Sequence, residues 1–292
     1  MKKRIFLFKV CSFVIAMLFA LTFNSCNSAK NAEKRTIMVS ILPQQYLLEK
    51  IVGDRFEVKC MLAKGGNPET YEPSMSYMMN LENSEAYFLM GNIGFELSIK
   101  GKIRDFNPNI KVFDMSEGVD LIHGSHHFDA DDEEGIDPHT WTSVANARII
   151  IRNMLDAVCE LDPDGKEIYE KNYKAFDKEL ADFSAALSHQ LAAVKGQAFV
   201  VWHPSLSYFA RDYGLEQISV EYDGKEAPVK YIENKIKYAS KRGAKIFFYQ
   251  KDIDSNQVQS VNSQLGARLV TINPLGYDWK KEIQTIADAF TK

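Results

Sequence analysis

Apolar and polar positions along this chain fall into two rhythms that take turns. Short β-branched or apolar runs at residues 36–42, 56–63, 86–90 and 110–113 have the length of strands. Between them, residues 44–52, 75–81 and 95–103 repeat apolar positions at helical spacing. Pro43 suits the opening turn of the helix it precedes, while Gly53 and Gly91 mark stops. Strand alternating with helix predicts a parallel α/β sheet, and the loops that follow its strands open at one edge, where ligands bind in such folds. The loop at 64–73 and a polar stretch at 123–141 both follow strands of this half, so they are expected at that edge. Ser143 is placed to cap the next helix, which carries Ala147, Ile150, Ile151, Met154 and Val158 and ends before Asp162-Pro163.

A longer helical pattern follows. Tyr169, Tyr173, Phe176, Leu180, Phe183, Leu187, Leu191 and Val194 recur at gaps of three and four with no glycine or proline between them. Roughly 30 residues would span about 45 Å, more than one small domain needs. A coiled-coil dimer arm is one reading, but sustained charge pairing beside the stripe is missing. A rigid strut between two lobes is preferred. Past Gly196 the alternation resumes, with strands expected at 198–202, 217–221, 245–249 and 268–272 and helices at 204–213, 229–242, 255–265 and 279–290. The expected fold is therefore α/β, with two lobes each built on a mainly parallel sheet flanked by helices. The N-terminal lobe takes residues 36–162, the connecting helix 163–195 and the C-terminal lobe 196–292.

Ahead of this body, Met1-Lys2-Lys3-Arg4 leads into an apolar run at 5–23 interrupted by Lys9. That is the layout of a secretory signal. A membrane span of about 20 residues is the alternative, but Lys9 leaves only roughly 14 clean apolar positions. Ser25-Cys26 resembles a relaxed bacterial lipoprotein box. It implies a signal at 1–25, lipid on Cys26, a tether at 26–35, and an exported protein held to the cell envelope.

Composition narrows the chemistry. The 292 residues carry a net charge of -4 with both signs interspersed, which leaves no basic face for nucleic acid. No G-x-x-x-x-G-K-[ST] occurs, so the chain holds no nucleotide site of that kind. Cys60 and Cys159 each sit in an apolar run and are expected as buried thiols; no disulfide between them is required. Residues 123–141 read H-G-S-H-H-F-D-A-D-D-E-E-G-I-D-P-H-T-W. His123, His126, His127 and His139, four of the chain's six histidines, are interleaved there with six carboxylates. Imidazole and carboxylate together suit a transition metal such as zinc, whereas magnesium takes oxygen alone. For the acidic run at 129–134 by itself, a solvated loop is the plainer account.

Three motifs carry a resemblance to a known family. Gly65-Gly66-Asn67-Pro68-Glu69-Thr70-Tyr71-Glu72-Pro73 resembles a G-x-x-P-H-x-Y-E-P loop. Asp137-Pro138-His139-Thr140-Trp141 resembles D-P-H-x-W, and Trp202-His203-Pro204-Ser205, with Tyr208, resembles a histidine-proline segment that follows a strand. Together they are similar to the zinc and manganese class of metal-binding solute-binding proteins of bacterial ABC importers, in particular its zinc-uptake subclass. The resemblance implies a metal held between lobes by Glu69, His139 and His203. A fourth or accessory donor would come from Asn273 or from His123, His126 and His127. Histidine at position 203 points to Zn(II) ahead of Mn(II) or another divalent ion. Two positions depart from the pattern: Glu69 stands where the family has histidine, and Asn273 where many members have aspartate.

The implied function is a lipid-anchored monomeric receptor that delivers Zn(II) to a permease driven by its ATPase. Capture is expected to weaken below about pH 6.5, the free imidazole value. Two rivals stand beside it. One is a zinc hydrolase using a Glu-His-His site, although neither H-E-x-x-H nor G-x-S-x-G is present. The other is an adhesion lipoprotein that has lost transport.

Overall fold

A computed structural model describes residues 35–123, 135–221, 227–251 and 253–291. The signal, Cys26, most of the tether, His126, His127 and the acidic run at 129–134 lie outside the described residues. Strands β1 (Thr36–Val39), β2 (Glu57–Cys60), β3 (Ser84–Leu89) and β4 (Lys111–Asp114) form a parallel sheet in the order β2-β1-β3-β4. Strands β5 (Ala198–Val201), β6 (Glu216–Ser219), β7 (Ile246–Gln250) and β8 (Arg268–Ile272) repeat that winding as β6-β5-β7-β8. The central strands β1 and β5 are buried at every residue, which explains their unbroken Thr, Ile, Met, Val, Ala and Phe content. Strand order reverses between β1 and β3 and again between β5 and β7, so each sheet has a crevice at its carboxyl edge.

In the first lobe the helices are α1 (Leu42–Val52), α2 (Met75–Met79), α3 (Gly94–Ile99), α4 (Ile103–Phe106) and α5 (Val144–Leu161). The single helix expected over 95–103 is two. Lys100-Gly101-Lys102 supplies a weak helix former and no apolar anchor, and the chain turns there. Ser143 caps α5 as expected, accepting from the Asn146 amide at 3.0 Å.

The long helix is α6 (Lys166–Leu191), continued by a 3-10 turn at Ala192–Val194. Its stripe from Tyr169 to Leu191 is buried. One continuous apolar core runs from the first sheet across this stripe to Phe199, Val201, Phe248 and Ile272 on one face of the second sheet. The opposite face of that sheet has its own small cluster around Val200, Trp202, Phe247 and Ile236. The stripe is thus consumed within the chain, as the strut reading requires.

Helix α6 is pinned at its start by Asp162. That carboxylate takes Arg55 at 2.6 Å, Arg35 at 3.1 Å and the Tyr169 hydroxyl. The second lobe adds α7 (Ser207–Tyr213), α8 (Val229–Lys241), α9 (Ser255–Asn262) and α10 (Trp279–Asp288). Helix α7 begins three residues later than its apolar pattern suggests. Residues 203–206 fold back instead, the Ser205 amide donating to the His203 carbonyl at 2.7 Å and the Leu206 amide to Gln217 at 2.7 Å. Cys60 and Cys159 are separate free thiols, and burial pushes Cys60 up to about 12. Among the described residues no helix is long and apolar enough to cross a membrane.

Candidate metal centre

Three loops at the carboxyl edges of the two sheets supply the site. The first follows β2. Within it the Asn67 side chain accepts from the Glu69 amide at 2.8 Å, and the Pro68 carbonyl accepts from the Phe95 amide at 3.1 Å. Gly94 lies so close beneath that a Cβ there would stand 2.4 Å from the Glu69 carbonyl oxygen. Tyr71 wedges the loop further, edge-on to Tyr77 and Phe95.

The second loop carries His139. Asp137 accepts from both the His139 backbone amide and its Nδ1, each at 2.9 Å. The tautomer is thereby set, with the proton on Nδ1 and the lone pair of Nε2 left to face the site. His139 is 2% exposed, and its ring lies 5.1 Å from that of Trp141.

The third loop leaves β5 and carries His203. Its Nδ1 faces Glu221 at 2.8 Å, and Gln250 fastens its backbone, donating to the His203 carbonyl at 3.2 Å. Glu221 and Gln250 stand just past β6 and at the end of β7, so the strands on both sides of β5 hold this residue. The arrangement mirrors that of His139, a carboxylate on Nδ1 and Nε2 turned inward.

Glu69, His139 and His203 each present one donor atom, and the three atoms lie within 4.8 Å of one another. His203 Nε2 is 3.2 Å from His139 Nε2 and 3.1 Å from Glu69 Oε1. An ion bonded tetrahedrally at about 2.0 Å keeps its ligand atoms roughly 3.3 Å apart. Both contacts are near that spacing. Electrostatics agree with a cation-seeking site. Burial alone would lower the His203 pKa, but Glu221 and Glu69 outweigh it and raise the value to about 10. A proton is held where positive charge is wanted.

The centre is braced across the lobes. The Tyr208 hydroxyl donates to the Asp137 carbonyl at 2.7 Å and accepts from the Ile122 amide at 3.1 Å. The Trp141 indole donates to the Pro274 carbonyl at 2.9 Å, and the Trp279 indole donates back to the Trp141 carbonyl at 2.7 Å.

Of the remaining sequence candidates, His126 and His127 lie outside the described residues, and His123 is not part of the trio. Asn273 is exposed, its amide donating to Glu282 at 3.2 Å, although its loop abuts Trp141 through Pro274. His123 is exposed in an isolated bridge with Ile136. Sequence reasoning missed Glu221, Gln250 and Trp279. Register could have found the first of these, since Val201 pairs with Ser219 and two further residues along each chain bring His203 opposite Glu221.

Residues 37–291 match the family described as ZnuA, zinc-uptake complex component A, periplasmic. The chain belongs to that family. Among zinc-uptake relatives, the high-affinity zinc uptake system protein ZnuA of Bacillus subtilis is 24% identical over 279 residues, covering 90% of this chain and 87% of that one. The zinc-binding lipoprotein AdcA of Streptococcus pneumoniae strain R6 is 23% identical over 278 residues, 91% of this chain. The chain spans about half of that relative's length, 55%. A crystal structure of ZnuA superposes with a TM-score of 0.81 at 31% identity, covering 88% of this chain and 98% of the other. A Mn-bound periplasmic metal-binding protein from Candidatus Liberibacter asiaticus, 18% identical with a TM-score of 0.75 over 87% of this chain and 99% of that one, shares the fold. The family is one of zinc-uptake components, and the hydrolase reading falls with that assignment.

Proposed function

We propose that this zinc-uptake component captures Zn(II) between its lobes on Glu69, His139 and His203 and presents it to an ABC permease driven by a cytoplasmic ATPase. It does so as an exported monomer tethered through lipid on Cys26, with lobes at 36–162 and 196–292 joined by 163–195. The observation that carries the reading is the convergence of three donor atoms, from loops far apart in sequence, within 4.8 Å of one another, with both contacts of His203 Nε2 near the spacing a tetrahedral ion demands. The curated relatives named for zinc binding and zinc uptake support the choice of cargo. A glutamate oxygen at position 69 is a competent zinc ligand, so the departure from histidine alters the donor set without removing a donor. Water, Asn273 or a histidine among His123, His126 and His127 completes the coordination.

Calorimetry in metal-buffered solution tests this. One zinc is expected to bind with micromolar or tighter affinity, ahead of manganese, and to be lost in His139→Ala and in His203→Ala. Weak binding unchanged by either substitution would favour the adhesion reading instead.

A further inference from the structure

The carboxyl-edge crevice of the first sheet, where open α/β folds commonly receive a ligand, is filled by a side chain. Glu96, on the first turn of α3, is 1% exposed. Its Oε1 accepts from the Met90 amide at 2.7 Å and from the Ser40 hydroxyl, and its Oε2 accepts from the Gly91 amide at 2.9 Å. Ser40 follows β1 and Met90-Gly91 follow β3, so one carboxyl group bridges the two strand ends on either side of the switch point. The network extends outward. Ser40 Oγ lies 2.9 Å from the Tyr87 hydroxyl, its amide donates to Gln44 at 2.8 Å, and Gln44 donates to the Phe88 carbonyl at 2.9 Å. Burying a carboxyl group is expensive, and a fully partnered buried network fixes one arrangement of the chain around it. What this arrangement holds is α3, and α3 is the floor of the Glu69 loop through Gly94 and Phe95.

We propose that Glu96 is a positioning residue for the metal centre: by locking the first turn of α3 to the ends of β1 and β3, it fixes the height of the Glu69 carboxylate over His139 and His203. The inference rests on the reading of Glu69 as a ligand. Glu96 touches no ion in this role; it acts through the backbone at 94–95 and 68–69. Gln250 does the corresponding task in the second lobe, at the end of β7 beside β5, where it fastens the backbone of His203 directly. Burial pushes the Glu96 carboxyl up to about 7 against the pull of the Ser40 hydroxyl and the two amides.

The test measures zinc affinity by competition with a chelator, and the visible spectrum of the Co(II)-loaded protein, for single and double variants of the full chain. Glu96→Ala is expected to weaken zinc binding at least tenfold and to shift the Co(II) spectrum toward that of Glu69→Ala. Glu96→Gln, which keeps one acceptor oxygen and the volume, recovers part of the loss. In a Glu69→Ala background, Glu96→Ala should weaken binding no further, since it then has no ligand to position. Gly94→Ala, which leaves Glu96 intact and pushes on the Glu69 backbone, should reproduce the weakened binding and keeps the test available if Glu96→Ala does not fold.

Wild-type affinity in Glu96→Ala, or an equal loss with and without Glu69, overturns the proposal while leaving the ligand reading in place. Wild-type affinity in Glu69→Ala removes the ligand reading itself, and the proposal with it.

Discussion

His203 shows how the surroundings set a ligand's chemistry. Burial pulls its pKa down, yet a carboxylate on each ring nitrogen, Glu221 and Glu69, carries the value to about 10. Zinc must displace that proton, so affinity is expected to climb about tenfold per pH unit from pH 6 to 9, where a free imidazole would level off near 6.5. Metal-buffered titrations across that range check the slope. Glu221→Gln should move the rise to lower pH and reduce the affinity reached at high pH by about tenfold or more, as loss of a carboxylate behind a ligating imidazole does. His139 and His203 were legible because each sits in a short motif. Glu221 was not: 18 residues separate it from His203, and parallel strand pairing alone brings the two together. Glu96 was hidden in the same way, as one acidic residue in a helix, since sequence does not show that its first turn points into a crevice between strand ends.

At the scale of elements, α6 depends on how its first turn is tied down. The hydrogen bond from Arg55, opposed by desolvation and helped by Tyr169 and Arg35, lowers the Asp162 pKa from 3.8 to about 2. Its side chain is 8% exposed. A depressed carboxylate contributes stability that is present above the unfolded value and is lost as pH falls from about 4 through 2. Both arginines are partly solvated, so the contribution is about 1–2 kcal/mol. Asp162→Asn should lower urea stability at pH 7 by that amount and flatten the acid limb below pH 4. Most elements could be read from apolar rhythm, because strands buried on both faces and a striped helix leave strong periodic marks. The breaks at Gly101 and at residues 203–206 escaped that reading. There the chain gives up helix for a turn or for contacts to the site, and periodicity carries no sign of either.

The whole molecule is built against wide closure. A single apolar core passes through α6 into both sheets, and Tyr208, Trp141 and Trp279 cross between the lobes by hydrogen bonds at 2.7–2.9 Å. Hinged receptors shut around their cargo by rotating packed bodies. Here zinc should leave the radius of gyration, about 18 Å for a compact body of this size, unchanged in small-angle scattering. A contraction of the kind that accompanies hinge closure would show the bracing to be ineffective.

The bracing has an optical consequence. The chain has three tryptophans: Trp202 precedes His203, Trp141 lies tilted against His139, and the Trp279 indole is bonded to the Trp141 carbonyl. Two of the three indoles therefore report on the surroundings of His139, while Trp202 reports on the cluster behind His203. Exchange of the His203 proton for a metal should be visible as a change in ultraviolet brightness without any attached dye.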